Sequence, residues 1–552
     1  MRNSEFGMRN PAFRFPPSEN SAFRILHSTF RIRVSHLTAI CGAFVLLFAF
    51  GAAGGSLCGQ HPAKTGVEHS TQVSSKKPVE VQKGYQPLVA ALHVHSSFSN
   101  GQHRVFELAA YAHQRKLDVL GITDSFLTRV RYRVGPWKKL ISYSASRNSV
   151  LDQGIDKYLA AVAAAQRQFD DVILLPGLEV SPFYYWQGSI FDGLRLLGFD
   201  RHLLIFGLRN PVQIRNIPVI ENETWANTRR DWSEVIGPAA TVLCGLILIF
   251  WKAERVVRLT YFSVRKQRRF WLPGLLFLLV GALWAYNEYP FGTLSDPYSG
   301  KYDVAASQRV VDYACEKGGL TFWSYPEAKV AIIKMKGASM ISASHPEDLW
   351  LADQYTGFEG IYGGPFTATQ PGNVWDRVLL DYLQGGRKSW PSVIAGIDFH
   401  YFKSGGGWYE LNRGQTVLWA KSKDEASVLD ALSRGRGYAV FQPAEDREAI
   451  LRDFALSSEN KVAIAGEMLQ TSAPVTVTAS VEWSSLPVDT DTALAQMELI
   501  RNGEKVDSVE SRLPLRVDRS DNLAPGKYYY RLRVKFGLYQ ELLSNPIFVE
   551  VQ

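Results

Sequence analysis

Leu88-Val89-Ala90-Ala91-Leu92-His93-Val94-His95-Ser96-Ser97-Phe98-Ser99-Asn100-Gly101 is the stretch whose reading decides the fold. A short apolar run ends in two histidines at i and i+2. Side chains two apart in a strand leave from one face, so His93 and His95 can reach one metal ion. A strand that carries such a pair at its end predicts a site at the C-terminal rim of a parallel α/β sheet or barrel.

The surrounding pattern supports that reading. Strand-like apolar runs at 88–94, 119–123, 172–175, 203–206, 320–323 and 393–397 alternate with helical patterns at 105–116, 155–169, 305–317 and 374–384. A further helix is expected at 424–433. Alternation at this spacing predicts a parallel sheet covered or closed by helices. From 451 to 552 the pattern becomes short alternating strands separated by Asn502-Gly503 and Pro525-Gly526, which predicts a small β-sandwich.

Polar residues collect where the strands end. Ile397-Asp398-Phe399-His400 repeats the two-residue geometry with a carboxylate and an imidazole. Asp124 ends another strand, Glu179 follows Leu174-Leu175-Pro176-Gly177-Leu178, and His202 begins a fourth. One such pair is weak by itself; several at separate strand ends of one α/β domain point to a metal site.

Leu92–Gly101 together with Leu117-Asp118-Val119-Leu120-Gly121-Ile122-Thr123-Asp124, Pro176-Gly177-Leu178-Glu179, Gly396-Ile397-Asp398-Phe399-His400 and Leu320-Thr321-Phe322-Trp323-Ser324-Tyr325-Pro326 resembles the PHP (polymerase and histidinol phosphatase) family. The resemblance covers about 88–234 and 300–450. It implies a distorted (β/α)7 barrel, two or three metals such as Zn, Mn or Fe, and hydrolysis of phosphoesters. It also implies that His93, His95, Glu179 and Asp398 form the full ligand set of one metal, with Glu179 bridging to a second. His202 would ligate that second metal, but Tyr325 stands where its partner histidine would be. His400 would ligate a third, with Asn100 and Ser125 in place of its other ligands. The expectation is therefore about one tightly bound divalent metal and a second, weak one. Asp124 reads either as an acceptor from a ligand histidine or the attacking water, or as a cap on the next turn. Tyr325 reads as a donor to a substrate oxygen or as a packing residue. Arg129, Arg131 and Arg133 read as a clamp for an anionic substrate or as solvated charges.

The composition sets the rest. Of 552 residues, 46% are hydrophobic and 21% charged, which excludes a mainly disordered chain. Four cysteines without CxxC spacing exclude a disulfide scaffold or zinc ribbon. The net charge of +8 invites a nucleic-acid reading until it is located. Residues 1–35 hold six Arg against two Glu, and residues 252–269 hold seven Lys/Arg against one Glu. Without those segments the balance is −2, so no nucleic-acid partner is expected.

Both basic segments flank uncharged apolar runs at 34–60, 235–251 and 270–287. Each is long enough to cross a hydrocarbon core, and aromatic residues mark the ends of the last two. The expected organisation is a basic cytoplasmic tail (1–35), a transmembrane anchor or signal peptide (36–56) and a linker (57–84). A first barrel piece (85–234), a transmembrane helix (235–251), a cytoplasmic loop (252–269) and a second transmembrane helix (270–287) follow. The second barrel piece (288–450) and the sandwich (451–552) complete the chain. Positive charge inside places barrel and sandwich outside the cytoplasmic membrane, with 210–234 and 288–303 as stalks. The expected function is a membrane-anchored, extracytoplasmic, metal-dependent phosphoesterase with the bilayer as partner and an amphiphilic or soluble phosphoester as substrate. The competing expectation is a catalytically impaired binding module that keeps a structural metal.

Overall fold

A computed structural model describes residues 31–32 and 84–552, apart from 135–140, 226–231, 259–260, 262, 290–291, 329, 336, 363–365, 402–409, 443–447, 486–493 and 538–539. The basic tail, first apolar run and linker expected before residue 84 lie, but for Arg31 and Ile32, outside the described residues.

Strand β1 (Gln86–Val94) leads into helix α1 (Val105–Gln114), strand β2 (Val119–Ile122), strands β3 (Arg129–Arg133) and β4 (Ser142–Ser146), and helices α2 (Val150–Gln153) and α3 (Ile155–Gln166). Strands β5 (Ile173–Val180), β6 (Tyr185–Gln187), β7 (Leu194–Leu197) and β8 (Leu203–Phe206) and helix α4 (Pro211–Arg215) complete the first half. Helix α5 (Ser233–Phe250), strands β9 (Lys252–Arg258) and β10 (Ser263–Arg269) and helix α6 (Trp271–Glu288) form an insertion. After it come α7 (Val304–Glu316), β11 (Leu320–Trp323), β12 (Ala331–Met335), β13 (Ala338–Ser342), α8 (Asp348–Leu351), β14 (Gly357–Ile361), α9 (Val374–Leu383), β15 (Ser392–Ala395), β16 (Gly414–Ala420), α10 (Glu425–Ser433) and β17 (Gly437–Phe441).

The helices form where the sequence gives them a face and a start. Val105, Leu108, Ala109 and Ala112 line one side of α1 and are buried, while Asp303 and Asp424 accept from backbone N–H groups at the starts of α7 and α10. Strands β2 and β5 are buried throughout, as parallel strands covered on both faces must be.

Seven strands run in the order β15-β14-β11-β8-β5-β2-β1, and all but β8 point the same way. This is an α/β fold. The described ladders do not close it into a barrel. Among the described residues the first and last strands of this run are joined by a bridge between Val94 and Phe399, where His95 N donates to Phe399 O at 2.8 Å and Phe399 N donates to His93 O at 3.0 Å.

Three strand pairs extend from the end of the sheet where the parallel strands finish: β3–β4 after β2, β6–β7 after β5, and β12–β13 after β11. The last two combine into a four-stranded sheet around Tyr184, Trp186, Leu194 and Leu196. None was expected from sequence, because these strands are short and mixed in character.

The insertion is a helical hairpin. Its helices touch along glycines: a Cβ on Gly245 would lie 2.8 Å from Leu278 N, and one on Gly274 would lie 2.7 Å from Gly245 O. Among the described helices, Ser233–Phe250 alone is long and apolar enough to cross a membrane; α6 is equally long but ends in Asn287-Glu288. Residues 252–269, read as a loop, instead form the antiparallel ribbon β9–β10. The segments read as stalks are folded. Residues 211–215 are helical, Glu221, Asn222 and Ser295 are buried, and Asn222 Nδ2 donates to the carbonyls of Arg215 and Ile217. The roots are thus packed structure. They bond to the extensions: Glu221 Oε1 accepts from the Tyr184 hydroxyl at 2.7 Å, Trp186 N donates to Pro297 O at 2.7 Å, and Arg133 N donates to the Tyr298 hydroxyl at 2.7 Å.

Strands β18 (Ala449–Ser458), β19 (Lys461–Ile464), β20 (Met468–Thr471), β21 (Val475–Trp483), β22 (Ala495–Arg501), β23 (Glu504–Ser511), β24 (Leu515–Asp521), β25 (Gly526–Lys535), β26 (Glu541–Ser544) and β27 (Ile547–Val551) fill the C-terminal region. Four of them form the sheet β19-β18-β21-β24. The others continue the central sheet through β16 and β17, so the expected boundary at 450 is crossed by hydrogen-bonded strands. One apolar cluster, including Val417, Leu456, Val477, Leu499 and Leu532, lies between the sheets.

Asp376 on α9 and Arg531 on β25 lock this region to the α/β core. Both are fully buried, and the guanidinium contacts both carboxylate oxygens at 2.6 and 2.7 Å. The Tyr529 hydroxyl also donates to Asp376, and Trp375 lies 4.8 Å from the guanidinium. Removing one partner strands the other charge in a dry site, which costs about 3–5 kcal/mol. Arg531→Ala should therefore lower the urea midpoint sharply, whereas Asp376→Leu/Arg531→Met should lose much less. Equal losses in both variants would show that the pair is not the lock.

Candidate metal centre

Alternation along β1 turns His93 and His95 to the same side, and both are almost fully buried. Glu179 stands near the end of β5. Asp398 follows β15 with a positive φ of 50°, an uncommon backbone state for a non-glycine residue. One ligand atom from each of the four lies within 4.8 Å of all the others. His93 Nε2 is 3.4 Å from a Glu179 oxygen and 3.4 Å from Asp398 Oδ1. His95 Nε2 is 3.1 Å from Asp398 Oδ1 and 3.7 Å from Glu179 Oε2.

The residues fit a divalent cation. Asp398 Oδ1 is buried without a well-aligned hydrogen-bond donor, although imidazole nitrogens of His93, His95 and His400 stand within 3.4 Å. Both histidines aim Nε2 at the shared centre and use Nδ1 outward. His93 Nδ1 is 2.7 Å from Glu359 Oε1, and His95 Nδ1 is 3.1 Å from Ser99 Oγ. An outer partner of this kind fixes a ligand imidazole's tautomer and ring orientation. Two nitrogens and two carboxylate oxygens suit Zn, Mn or Fe.

The charges are coupled. Burial opposes protonation of His93, but Glu359, Asp398 and Glu179 together hold its pKa well above the usual value. Burial raises the Glu179 and Asp398 carboxyls, yet the surrounding histidines, His202 first for Glu179 and His400 first for Asp398, pull both well below the carboxylate range. Cationic imidazoles and a divalent ion are thus alternative answers to the same buried negative charge.

His202 stands just before β8 and Tyr325 just after β11. His202 Nδ1 is 2.7 Å from the Tyr325 hydroxyl and 2.7 Å from Glu179 Oε1; the Tyr325 hydroxyl is 3.3 Å from that same oxygen. Burial, then the Glu179 and Asp398 charges, raise the Tyr325 phenol well above its usual pKa, so it keeps its proton. Its ring stacks on His93, with centroids 5.8 Å apart. On the other side His400 Nε2 is 2.9 Å from Asp398 Oδ1, and its ring stacks on His95. The side chains of His202, Asp398 and His400 retain 16, 18 and 25% exposure, which marks the open side of the centre.

Asp124 does not reach the ligands directly. It accepts from Ser96 N at 2.7 Å and from the hydroxyls of Ser96 and Ser99, so it holds the turn after β1 and touches His95 only through Ser99. Its partners are thus groups of that turn, with Ser99 standing between it and His95. Ser125 Oγ donates to Glu179 Oε2 at 3.2 Å, and Asn100 accepts from Ser99 Oγ. Arg129 pairs with Asp152 and Glu223, and Arg131 with Glu221 and Glu223. The two guanidiniums are engaged with acids beside the hairpin root rather than with the four-residue cluster.

Sequence reasoning missed Glu359. It lies on β14, fully buried, and accepts from Tyr325 N at 3.0 Å as well as facing His93. The available signal was one acid inside the apolar run Gly357-Phe358-Glu359-Gly360-Ile361. Gly396 makes room for it: a Cβ there would sit 1.7 Å from Glu359 Oε1.

No protein-family model matches the sequence, and no curated protein matches it. Solved structures similar to the chain include a two-domain protein containing a predicted PHP-like metal-dependent phosphoesterase from Bacteroides vulgatus. It is 10% identical, with a TM-score of 0.32, and the match covers 87% of this chain and 100% of that one. Another is a provisionally assigned metal-dependent phosphoesterase from Bifidobacterium adolescentis, at 15% identity and a TM-score of 0.26, covering 62% and 95% of the two chains. A third is an amidohydrolase from Chromobacterium violaceum with bound sulfate and no metal, at 15% identity and a TM-score of 0.23, covering 56% and 87%.

Outer partners of ligand histidines typically change metal affinity 10–100-fold. Glu359→Gln should weaken metal binding by roughly that factor in a chelator competition, and Gly396→Ala, which displaces the same carboxylate, should act alike. Unchanged affinity in both would remove Glu359 from the centre.

Proposed function

We propose that the chain is a membrane-anchored, extracytoplasmic, metal-dependent phosphoesterase that holds about one divalent metal tightly. The observation that carries the chemistry is the four-residue cluster of His93, His95, Glu179 and Asp398 at the rim where the parallel strands end. The phosphoester class rests on the resemblance of five strand-end motifs to the PHP family. A divalent ion held there supplies Lewis acidity and makes water a nucleophile near neutral pH. Glu359 and Ser99 keep the ligand imidazoles oriented. Tyr325, protonated and 2.7 Å from His202, is the group we assign as donor to a substrate oxygen. Tyr325 also fills the position between His202 and Glu179, which supports one tight site and leaves the second weak.

The membrane assignment is supported by α5 and α6. Their large apolar residues, among them Ile236, Leu243, Phe250, Leu272, Leu275 and Leu279, are exposed. An exposed apolar surface of this size marks an interaction site, and a bilayer is the partner this reading assigns to it. The basic segment between the helices supports a reading with that end in the cytoplasm and the α/β core outside. The hairpin roots bond to the extensions that leave the metal-bearing rim, which favours an amphiphilic phosphoester drawn from the adjoining leaflet.

The full chain, purified in detergent and loaded with Mn or Zn, should bind about one equivalent of metal and hydrolyse an aryl phosphodiester. His93→Ala should lose both properties. Tyr325→Phe should keep the metal and lose on the order of 10²-fold in turnover. Metal-replete protein without turnover on a broad phosphoester panel would instead support a binding module with a structural metal.

Orientation has its own test. Tyr261, between β9 and β10, is 94% exposed. In a chain whose four native cysteines are replaced by alanine, a cysteine placed there should react with an impermeant thiol reagent only after the cytoplasmic side is opened, and labelling of intact cells would reverse the topology.

A further inference from the structure

The ribbon between the two apolar helices has a register that works against itself. Lys252 stands opposite Arg269 in the ladder. Like charges directly opposite one another destabilise a strand pair, and an isolated two-stranded ribbon is marginal even without them. The only acid, Glu254, accepts from Gln267 Nε2 at 2.8 Å. Among the described side chains Lys252, Arg265, Lys266, Arg268 and Arg269 form no pair with a carboxylate, and Arg268 lies over the Phe270 ring at 5.7 Å. The ribbon therefore needs anions from elsewhere.

Its position selects their source. A single residue, Trp251, joins α5 to β9, and a single residue, Phe270, joins β10 to α6. Each helix has 18 residues and is about 27 Å long, close to the thickness of a hydrocarbon core. Phe250, Trp251 and Trp271 are exposed at the junction, where interfacial aromatics sit. The connections are short enough that the ribbon's base, with Lys252 and Arg269, stays beside those aromatics.

We propose that the Lys252–Arg258/Ser263–Arg269 ribbon is an anionic-lipid binding element that clamps phosphate head groups on the leaflet opposite the metal centre. It rests on the membrane reading of α5 and α6. Lipid phosphates between the facing basic residues relieve the cross-strand repulsion, so the ribbon is held at the head-group layer only where anionic lipid is present.

The test uses the full chain with its four native cysteines replaced by alanine and a spin label on Tyr261→Cys. The protein is reconstituted in phosphatidylcholine vesicles with or without about 30% phosphatidylglycerol. The label should be immobilised only when phosphatidylglycerol is present, and salt should release it. In Arg265→Gln/Lys266→Gln/Arg268→Gln/Arg269→Gln the immobilised fraction should fall at least tenfold, since each basic group near an anionic surface contributes roughly fivefold. Equal label mobility in both vesicles, with α5 and α6 protected from protease, overturns the lipid clamp and leaves the membrane reading standing. Failure of that protection overturns both. Immobilisation in phosphatidylcholine by a short RNA, at lower phosphate concentration than the lipid requires, assigns the ribbon to nucleic acid and also overturns the proposal.

Discussion

Three carboxylates converge on two buried imidazoles at the end of the sheet, and the rest of the site follows from that charge. Glu179, Asp398 and Glu359 surround His93, and two of the three also surround His95 or its partners. Such a concentration of negative charge in a low-dielectric interior is tolerable only with a compensating cation. The protein prepares for one by orienting both imidazoles from behind and by opening a path beside His202, Asp398 and His400. The backbone concessions lie in the same place. Asp398 and Tyr325 both have positive φ, and Gly396 is bare because the Glu359 carboxylate occupies the space of its side chain. A charge requirement at one point thus dictates strand-end sequence, rotamer and backbone around it.

The phenol of Tyr325 changes what the neighbouring position can do. A second cation beside Glu179 would need a nitrogen or carboxylate where the phenol stands, and a protonated phenol is a poor ligand. It is a good hydrogen-bond donor, and its burial keeps it one. Under the proposed function, a donor in place of a ligand trades a two-metal clamp for a single Lewis acid plus a directed hydrogen bond. That trade preserves chemistry that needs an activated water and weakens chemistry that needs both attacking and leaving oxygens bound to metal.

Legibility in the sequence followed side-chain periodicity. The His-x-His and Asp-x-His pairs were readable because a period of two in a strand fixes which side chains share a face, and His93, His95, Glu179 and Asp398 do meet. The strands at 203–206 and 320–323 were readable as apolar runs. Strand β14 was not: five residues with two glycines and a central acid carry no alternation, so Glu359 stayed hidden. The ribbon β9–β10 was read as a loop because its residues are charged on both faces. Arg129 and Arg131 were readable as a basic cluster, but their acids, Glu221 and Glu223, lie about ninety positions along the chain and only folding brings them together.

The hairpin interrupts the core at a point the core itself repairs. β8 and β11, the strands on either side of the insertion, pair directly and antiparallel, with Leu320 opposite Phe206 and Trp323 opposite Leu203. His202 begins one of these strands and Tyr325 follows the other, so their 2.7 Å contact spans the insertion although 123 positions separate them. The ladder between the two strands sets that distance, and the hairpin adds none of its hydrogen bonds. The insertion can therefore be rooted on the extensions of the rim while the distance between His202 and Tyr325 is set by the β8–β11 ladder alone. The extensions, with their own aromatic core around Tyr184 and Trp186, stand between the inserted helices and the four-residue cluster, whose ligand geometry depends on the sheet rather than on the insertion.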